Sequence, residues 1–285
     1  MSAQSQIRRK TVRDIAAAKG GQPLVCLTAY DAPMAEIMDP HCDVILVGDS
    51  VGMVVHGLPS TVGVTMEMMI LHGQAVMRGS SQAFVVVDMP FGSYETNADQ
   101  AFLNAARIMQ QTGCQAVKIE SGAYASHQIE HLVERGVPVM GHVGLRPQAI
   151  NVVGGFKAQG RSDGERERVM EEAKAAESAG AFAIVIEGVA EDLAEEITKS
   201  VAIPTVGIGA SASCDGQILV TQDMLGLFDW TPKFVRRYGD VRAEIEKSIE
   251  AYAEDVRGRT FPGEAETYKL SKPGAKPLSR VAGDK

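Results

Sequence analysis

Short apolar runs alternate along this chain with longer stretches in which apolar side chains recur at helical spacing. The runs are 23–30 (PLVCLTAY), 43–50 (DVILVGDS), 83–90 (AFVVVDMP), 115–121 (QAVKIES), 137–144 (VPVMGHVG), 181–189 (AFAIVIEGV), 203–210 (IPTVGIGA) and, less distinctly, 217–221 (QILVT). A strand buried on both faces reads as such a run, so seven or eight of them with helices between indicate a parallel sheet. That count favours a single-domain (β/α)8 TIM barrel over an open sheet. Thr96 and Asn97 offer capping oxygens to a helix ending at Gly113, with Phe102, Leu103, Ala106 and Met109 at helical spacing. A second helix is expected over 166–180, with Val169, Met170, Ala173 and Ala176 turned one way. The barrel with its N-terminal helix is expected over 1–262, and the Pro- and Lys-rich 263–285 reads as a mobile tail.

Two connections are long for a barrel, VGMVVHGLPSTVGVT after the second strand and LRPQAINVVGGFKAQGRSDG after the fifth. Both leave the carboxyl rim, where long loops commonly bind or cover ligands. Composition narrows the classes of partner. A net charge of −8 is the wrong sign for a nucleic-acid binder. No long uncharged apolar stretch suggests a membrane span, and Cys26, Cys42, Cys114 and Cys214 form no CxxC pair, so a reducing cytoplasm is the expected setting.

Several runs stop on charge. Asp49, Asp88 and Glu120 end three of them, at the rim where α/β folds place active sites, and could converge there. Three carboxylates suit Mg²⁺ or Mn²⁺ better than zinc. Asp49-Ser50 is not read as a helix cap, because the following VGMVVHGLP holds two glycines and a proline. Asp88 must be paired or metal-bound if buried, and Lys118 is its candidate partner. Lys118 and Glu120 are two apart on one strand and share a face. Glu187 ends a further run, where a partly desolvated carboxylate suits a general base. His142 at the fifth strand's end is given a supporting role. The HQIEH segment at 127–131 matches a zinc-peptidase pattern, but His127, Glu130 and His131 fall on the helix arc expected to face solvent.

Taken in order, TAYD (28–31), LVGDS (46–50), VKIE (117–120), GHVGL (141–145), GGFKAQGR (154–161), GIGA (207–210) and DGQILV (215–220) resemble the motifs of the ketopantoate hydroxymethyltransferase family. The resemblance runs from about residue 11 to 263. It implies a Mg²⁺-dependent barrel that transfers a hydroxymethyl group from 5,10-methylenetetrahydrofolate to 3-methyl-2-oxobutanoate in pantothenate biosynthesis. It implies Asp49, Asp88 and Glu120 as metal ligands, Ser50 and Lys118 as substrate contacts beside Asp49 and Asp88, and Glu187 as the proton acceptor. A homo-oligomer, up to a decamer, is implied as well. Gly63 and Ser211 depart from the family pattern, which often has Pro and Gly there. Two other readings stand beside this one: a lyase or mutase barrel of the phosphoenolpyruvate mutase type, and a non-enzymatic metabolite-binding barrel.

Overall fold

The structure, a computed structural model, describes residues 8–155 and 158–269. The chain divides into two units, Met1–Gly239 and Asp240–Lys285. In the first, eight parallel strands close a barrel in chain order. They are β1 (Leu24–Thr28), β2 (Val44–Val47), β3 (Phe84–Asp88), β4 (Ala116–Glu120), β5 (Val139–Gly144), β6 (Ala183–Glu187), β7 (Thr205–Ile208) and β8 (Gly216–Leu219). Every expected run contains one.

Alternation along the strands sorts the core into two layers. Val44, Leu46, Phe84, Val86, Ala116, Met140, Ala183 and Val185 pack together inside the barrel, joined by Ile15 of the N-terminal helix Val12–Ala16. Their neighbours Ile45, Val85, Val87, Val117, Ile119, Ile184 and Ile186 pack outward with the helices. Asp88, Lys118, Glu120, His142 and Glu187 have the parity of the inward set. They therefore continue the barrel filling toward its carboxyl end in polar form.

Strands β2 to β5 are buried throughout, as strands covered on both faces should be. β1 and β8 are not, for Val25 is 50% exposed and lies opposite exposed Gln217. That explains why the eighth run is the least distinct in the sequence.

The helices depart from expectation in which residues they bury. In Ala98–Thr112, capped by Asn97 and ended by Gly113 at φ 78°, the buried side chains are Ala98, Ala101, Ala105, Ile108 and Thr112. Leu103 is 68% exposed. Small side chains let the helix sit close to the sheet, and the larger ones are left on its flanks. The helix expected over 166–180 begins earlier, at Asp163, with Ser162 accepting from the Glu165 N–H. In the segment 127–131, His127 and Glu130 are exposed and His131 lies beside Asp99 and Phe102. Asp39 is held by the N–H groups of Ser81, Gln82 and Ala83, which outweigh burial and keep its carboxyl below the ordinary range.

The helix Val241–Gly258 lies in the second unit and buries none of its residues. Of the tail expected over 263–285, residues 270–285 lie outside the described ones.

Candidate active site

Register places the charged residues side by side. Asp88 is opposite Lys118, Glu120 is opposite His142, and Gly144 is opposite Glu187. Asp49 and Ser50 follow β2. Gly48 makes room for them: a Cβ there would stand 2.8 Å from Ser50 Oγ and 3.6 Å from Asp88 Oδ2. Contrary to the sequence reading, a one-turn helix does follow Ser50, at Val51–Val54. Ser50 does not cap it with its side chain; its Oγ lies 2.8 Å from the Tyr30 hydroxyl instead.

The group forms a continuous polar row. The Asp49 N–H donates to Asp88 Oδ2 at 3.0 Å, and Lys118 Nζ lies 2.9 Å from Asp88 Oδ1. Lys118 Nζ lies 3.4 Å from His142 Nδ1, and His142 Nε2 lies 3.2 Å from Glu187 Oε2. An ammonium only donates, so Nδ1 of His142 is the accepting nitrogen and Nε2 carries the proton that faces Glu187. Burial and the Lys118 charge both lower the His142 pKa and keep the ring neutral. Glu187 is the most open member of the row, its side chain 18% exposed.

Electrostatically the row is unbalanced. Burial and Asp88 push the Asp49 carboxyl up to about 7, and burial with Asp49 raises Glu120. Burial opposes the charge on Lys118, but Asp88, Asp49 and Glu120 outweigh it and raise its pKa. Three buried carboxylates thus face one ammonium, and Asp88 Oδ1 has no hydrogen-bond partner despite its contact with Lys118. The oxygen-rich donors and surplus negative charge suit a hard cation. Yet among the described residues no three His, Cys, Asp or Glu side chains are grouped closely enough to hold a metal ion.

Gln148, which carries no periodic signal, is the residue sequence reasoning missed. Its side-chain amide donates to Asp49 Oδ2 at 2.8 Å and to the Met89 carbonyl at 3.0 Å. Its backbone N–H reaches Glu120 Oε2 at 3.2 Å. The buried Tyr94 hydroxyl donates to Gln148 Oε1 at 2.6 Å, which fixes the orientation of the amide. The only advance sign was its position in a long rim loop.

A cavity of about 720 Å³ opens beside this row. Glu120, Gly144 and Gln148 line it, whereas Asp49, Asp88, Lys118 and Glu187 do not. Phe156 and Lys157 of the same loop lie outside the described residues. Of the two departures from the family motifs, Ser211 is buried and its Oγ accepts from the Ser213 N–H at 3.1 Å, bracing a turn. Gly63 ends the turn Thr61–Gly63, where a Cβ would touch only Leu58.

The family profile described as Ketopantoate hydroxymethyltransferase matches residues 9–264. A 3-methyl-2-oxobutanoate hydroxymethyltransferase of Hyphomonas neptunium is 76% identical over 275 residues, covering 96% of this chain and 100% of the relative. The protein of that name from Phenylobacterium zucineum is 69% identical, covering 93% and 96%. Among solved structures, a phosphonopyruvate hydrolase superposes with a TM-score of 0.58 at 16% identity, covering 92% of each chain. A phosphoenolpyruvate phosphomutase from Streptomyces platensis subsp. rosaceus gives 0.59 at 14%, covering 91% and 92%. At such identities the likeness is one of fold.

Proposed function

This chain belongs to the ketopantoate hydroxymethyltransferase family, and from that premise we propose how its polar row divides the family's chemistry. The reaction transfers a hydroxymethyl group to 3-methyl-2-oxobutanoate to give ketopantoate, a step of pantothenate biosynthesis. The one-carbon donor is 5,10-methylenetetrahydrofolate. The observation that carries the assignment of roles is the contact of His142 Nε2 with Glu187 Oε2 at 3.2 Å, at the open end of the row. Glu187 is the general base. It takes the C3 proton of the keto acid, and the resulting enolate carbon bonds to the methylene carbon of the folate, opened to an iminium; water then takes the nitrogen's place on that carbon, the C–N bond breaks, and tetrahydrofolate leaves with the proton the water gives up. His142, neutral and with Nε2 3.2 Å from Glu187 Oε2, faces the carboxylate without competing for the proton. Lys118 offsets the keto acid's carboxylate, and Ser50, held by Tyr30, contacts the acid from the β2 side.

Asp49, Asp88 and Glu120 would hold Mg²⁺. Their surplus charge and the unpartnered Asp88 Oδ1 support this, since buried carboxylates need a cation, a proton or donors. When bound, the ion supplies Lewis acidity toward the keto oxygen. Gln148 orients two of these carboxylates, so Gln148→Leu should weaken Mn²⁺ binding about 10- to 100-fold in titration calorimetry. An unchanged affinity would remove Gln148 from that role.

A homo-oligomer, as large as a decamer, is the proposed assembly. Ile245, Ile249, Tyr252 and Val256 are exposed along one face of the helix Val241–Gly258, a stripe suited to a second copy. The proposed location is the cytoplasm, in keeping with four buried, free cysteines. No helix among the described residues is long and apolar enough to cross a membrane.

The reaction is tested by incubating the full chain with Mg²⁺, 3-methyl-2-oxobutanoate and 5,10-methylenetetrahydrofolate. Ketopantoate and tetrahydrofolate are expected in equal amounts. Absence of both, with phosphonopyruvate turned over instead, would assign the chain to its structural neighbours' chemistry.

A further inference from the structure

The row around Lys118 accounts for the small keto acid but gives no place to the much larger folate. The adjoining cavity of about 720 Å³ is of the size that holds drug-sized ligands. Besides Glu120 and Gln148, its lining offers two kinds of surface. Phe91, Tyr124 and Val152 present apolar surface to it and are 48%, 53% and 91% exposed. Arg146, Arg161 and Arg168 then supply three guanidinium groups.

The three arginines come from two rim segments. Arg146 follows β5, and its guanidinium crosses over Gly122, where a Cβ would collide with Arg146 Nη1 and the Tyr124 ring. Arg161 precedes the helix Asp163–Ser178, and Arg168 stands on it. Arg146 Nη2 and Arg168 Nε lie 3.9 and 4.0 Å from the same oxygen of buried Glu172. Both distances exceed a hydrogen bond, so one carboxylate is shared loosely by two forks. Arg168 also gives one N–H to Gln159 Oε1 at 2.9 Å. Among the described residues the Arg161 side chain enters no ion pair. The cavity's other acids are engaged locally: Glu165 accepts from the Arg161 N–H at 2.9 Å, and Glu95 from the Tyr94 N–H at 3.1 Å.

A folate is a flat pterin and benzoyl unit ending in a glutamyl group with two carboxylates. Aromatic and apolar walls suit the rings, and guanidinium forks suit the carboxylates. The reactive methylene must lie near Glu120, beside the keto acid, and the arginines are the cationic groups lining the cavity that can meet the glutamyl end. We propose that Arg146, Arg161 and Arg168 form the subsite for the glutamyl carboxylates of the folate co-substrate. The assignment rests on the reaction given above.

The test uses Arg161→Ala and Arg168→Ala in the full chain, with 5,10-methylenetetrahydrofolate and with 5,10-methylenetetrahydropteroate, which lacks the glutamyl group. KM for the folate should rise about tenfold or more in each variant, the loss expected when a charged hydrogen bond is removed. The pteroate should show one KM in parent and variants, and Arg161→Lys should recover part of the loss. Exchange of the keto acid C3 proton into deuterated water uses no folate and should keep its rate. An unchanged folate KM in both variants, or an equal rise with the pteroate, would overturn the subsite while leaving the reaction standing. A parent chain that neither exchanges the C3 proton nor forms ketopantoate would overturn the reaction, and the subsite with it.

Discussion

Glu187→Gln should bind Mg²⁺ and 3-methyl-2-oxobutanoate as the parent does, yet lose C3 proton exchange into deuterated water by about 10²- to 10⁴-fold. That is the range of a well-placed general base. The substitution keeps the side chain's shape and its place opposite Gly144. It removes the negative charge that faces His142 Nε2 at 3.2 Å and leaves an amide that cannot take a proton. Binding should survive because the proposed contacts to the acid's charged end are Lys118 and Ser50, not Glu187. Proton NMR of the keto acid follows exchange without folate, and calorimetry follows binding. A variant that exchanges at the parental rate would remove Glu187 as the base. His142→Gln should fall between the two if His142 only orients the carboxylate.

Lys118→Met should be the most destabilising single change at the site. Lys118 is 6% exposed and pairs with Asp88 at 2.9 Å, with Asp49 and Glu120 contributing to its charge. Breaking a buried pair by removing one partner costs about 3–5 kcal/mol, because the other charge stays buried. A chain of this size should then melt roughly 10 °C lower in metal-free buffer. Mg²⁺ should recover part of that loss, since a cation bound only by the folded state stabilises it. The pH dependence has a definite sign. Asp49 is raised to about 7 in the fold, so its ionised form is the destabilising one. Lys118 lowers Asp49, so the variant's Asp49 lies higher still, and the metal-free deficit should be greatest at alkaline pH and shrink as pH falls toward 7. Calorimetry across this range, with and without Mg²⁺, checks both arms. A deficit that grows on acidification would contradict the assignment of Lys118 as counter-charge to these carboxylates.

Much of this site is legible residue by residue. Period-two alternation puts Lys118 and Glu120 on one face from local sequence, and Asp88, Glu120 and Glu187 each close a largely apolar strand. What sequence periodicity does not carry is how close two elements come. It grouped Leu103 with Phe102, Ala106 and Met109 at helical spacing, whereas close packing against the sheet selected Ala98, Ala101 and Ala105. It read no helix after Ser50, although the one turn at Val51–Val54 needs only a few local backbone bonds.

By itself, the sequence determined seven or eight strands, the acidic rim and the resemblance to one family. Strand burial and alternation depend on neighbours one or two positions away. The tertiary structure alone decided that Lys118 and Glu187 meet the two nitrogens of His142 and that Gln148 joins Asp49 to Glu120. Those contacts bring together residues from separate strands and from a loop with no repeat of its own. Register and loop closure set them, and neither leaves a periodic trace in the chain.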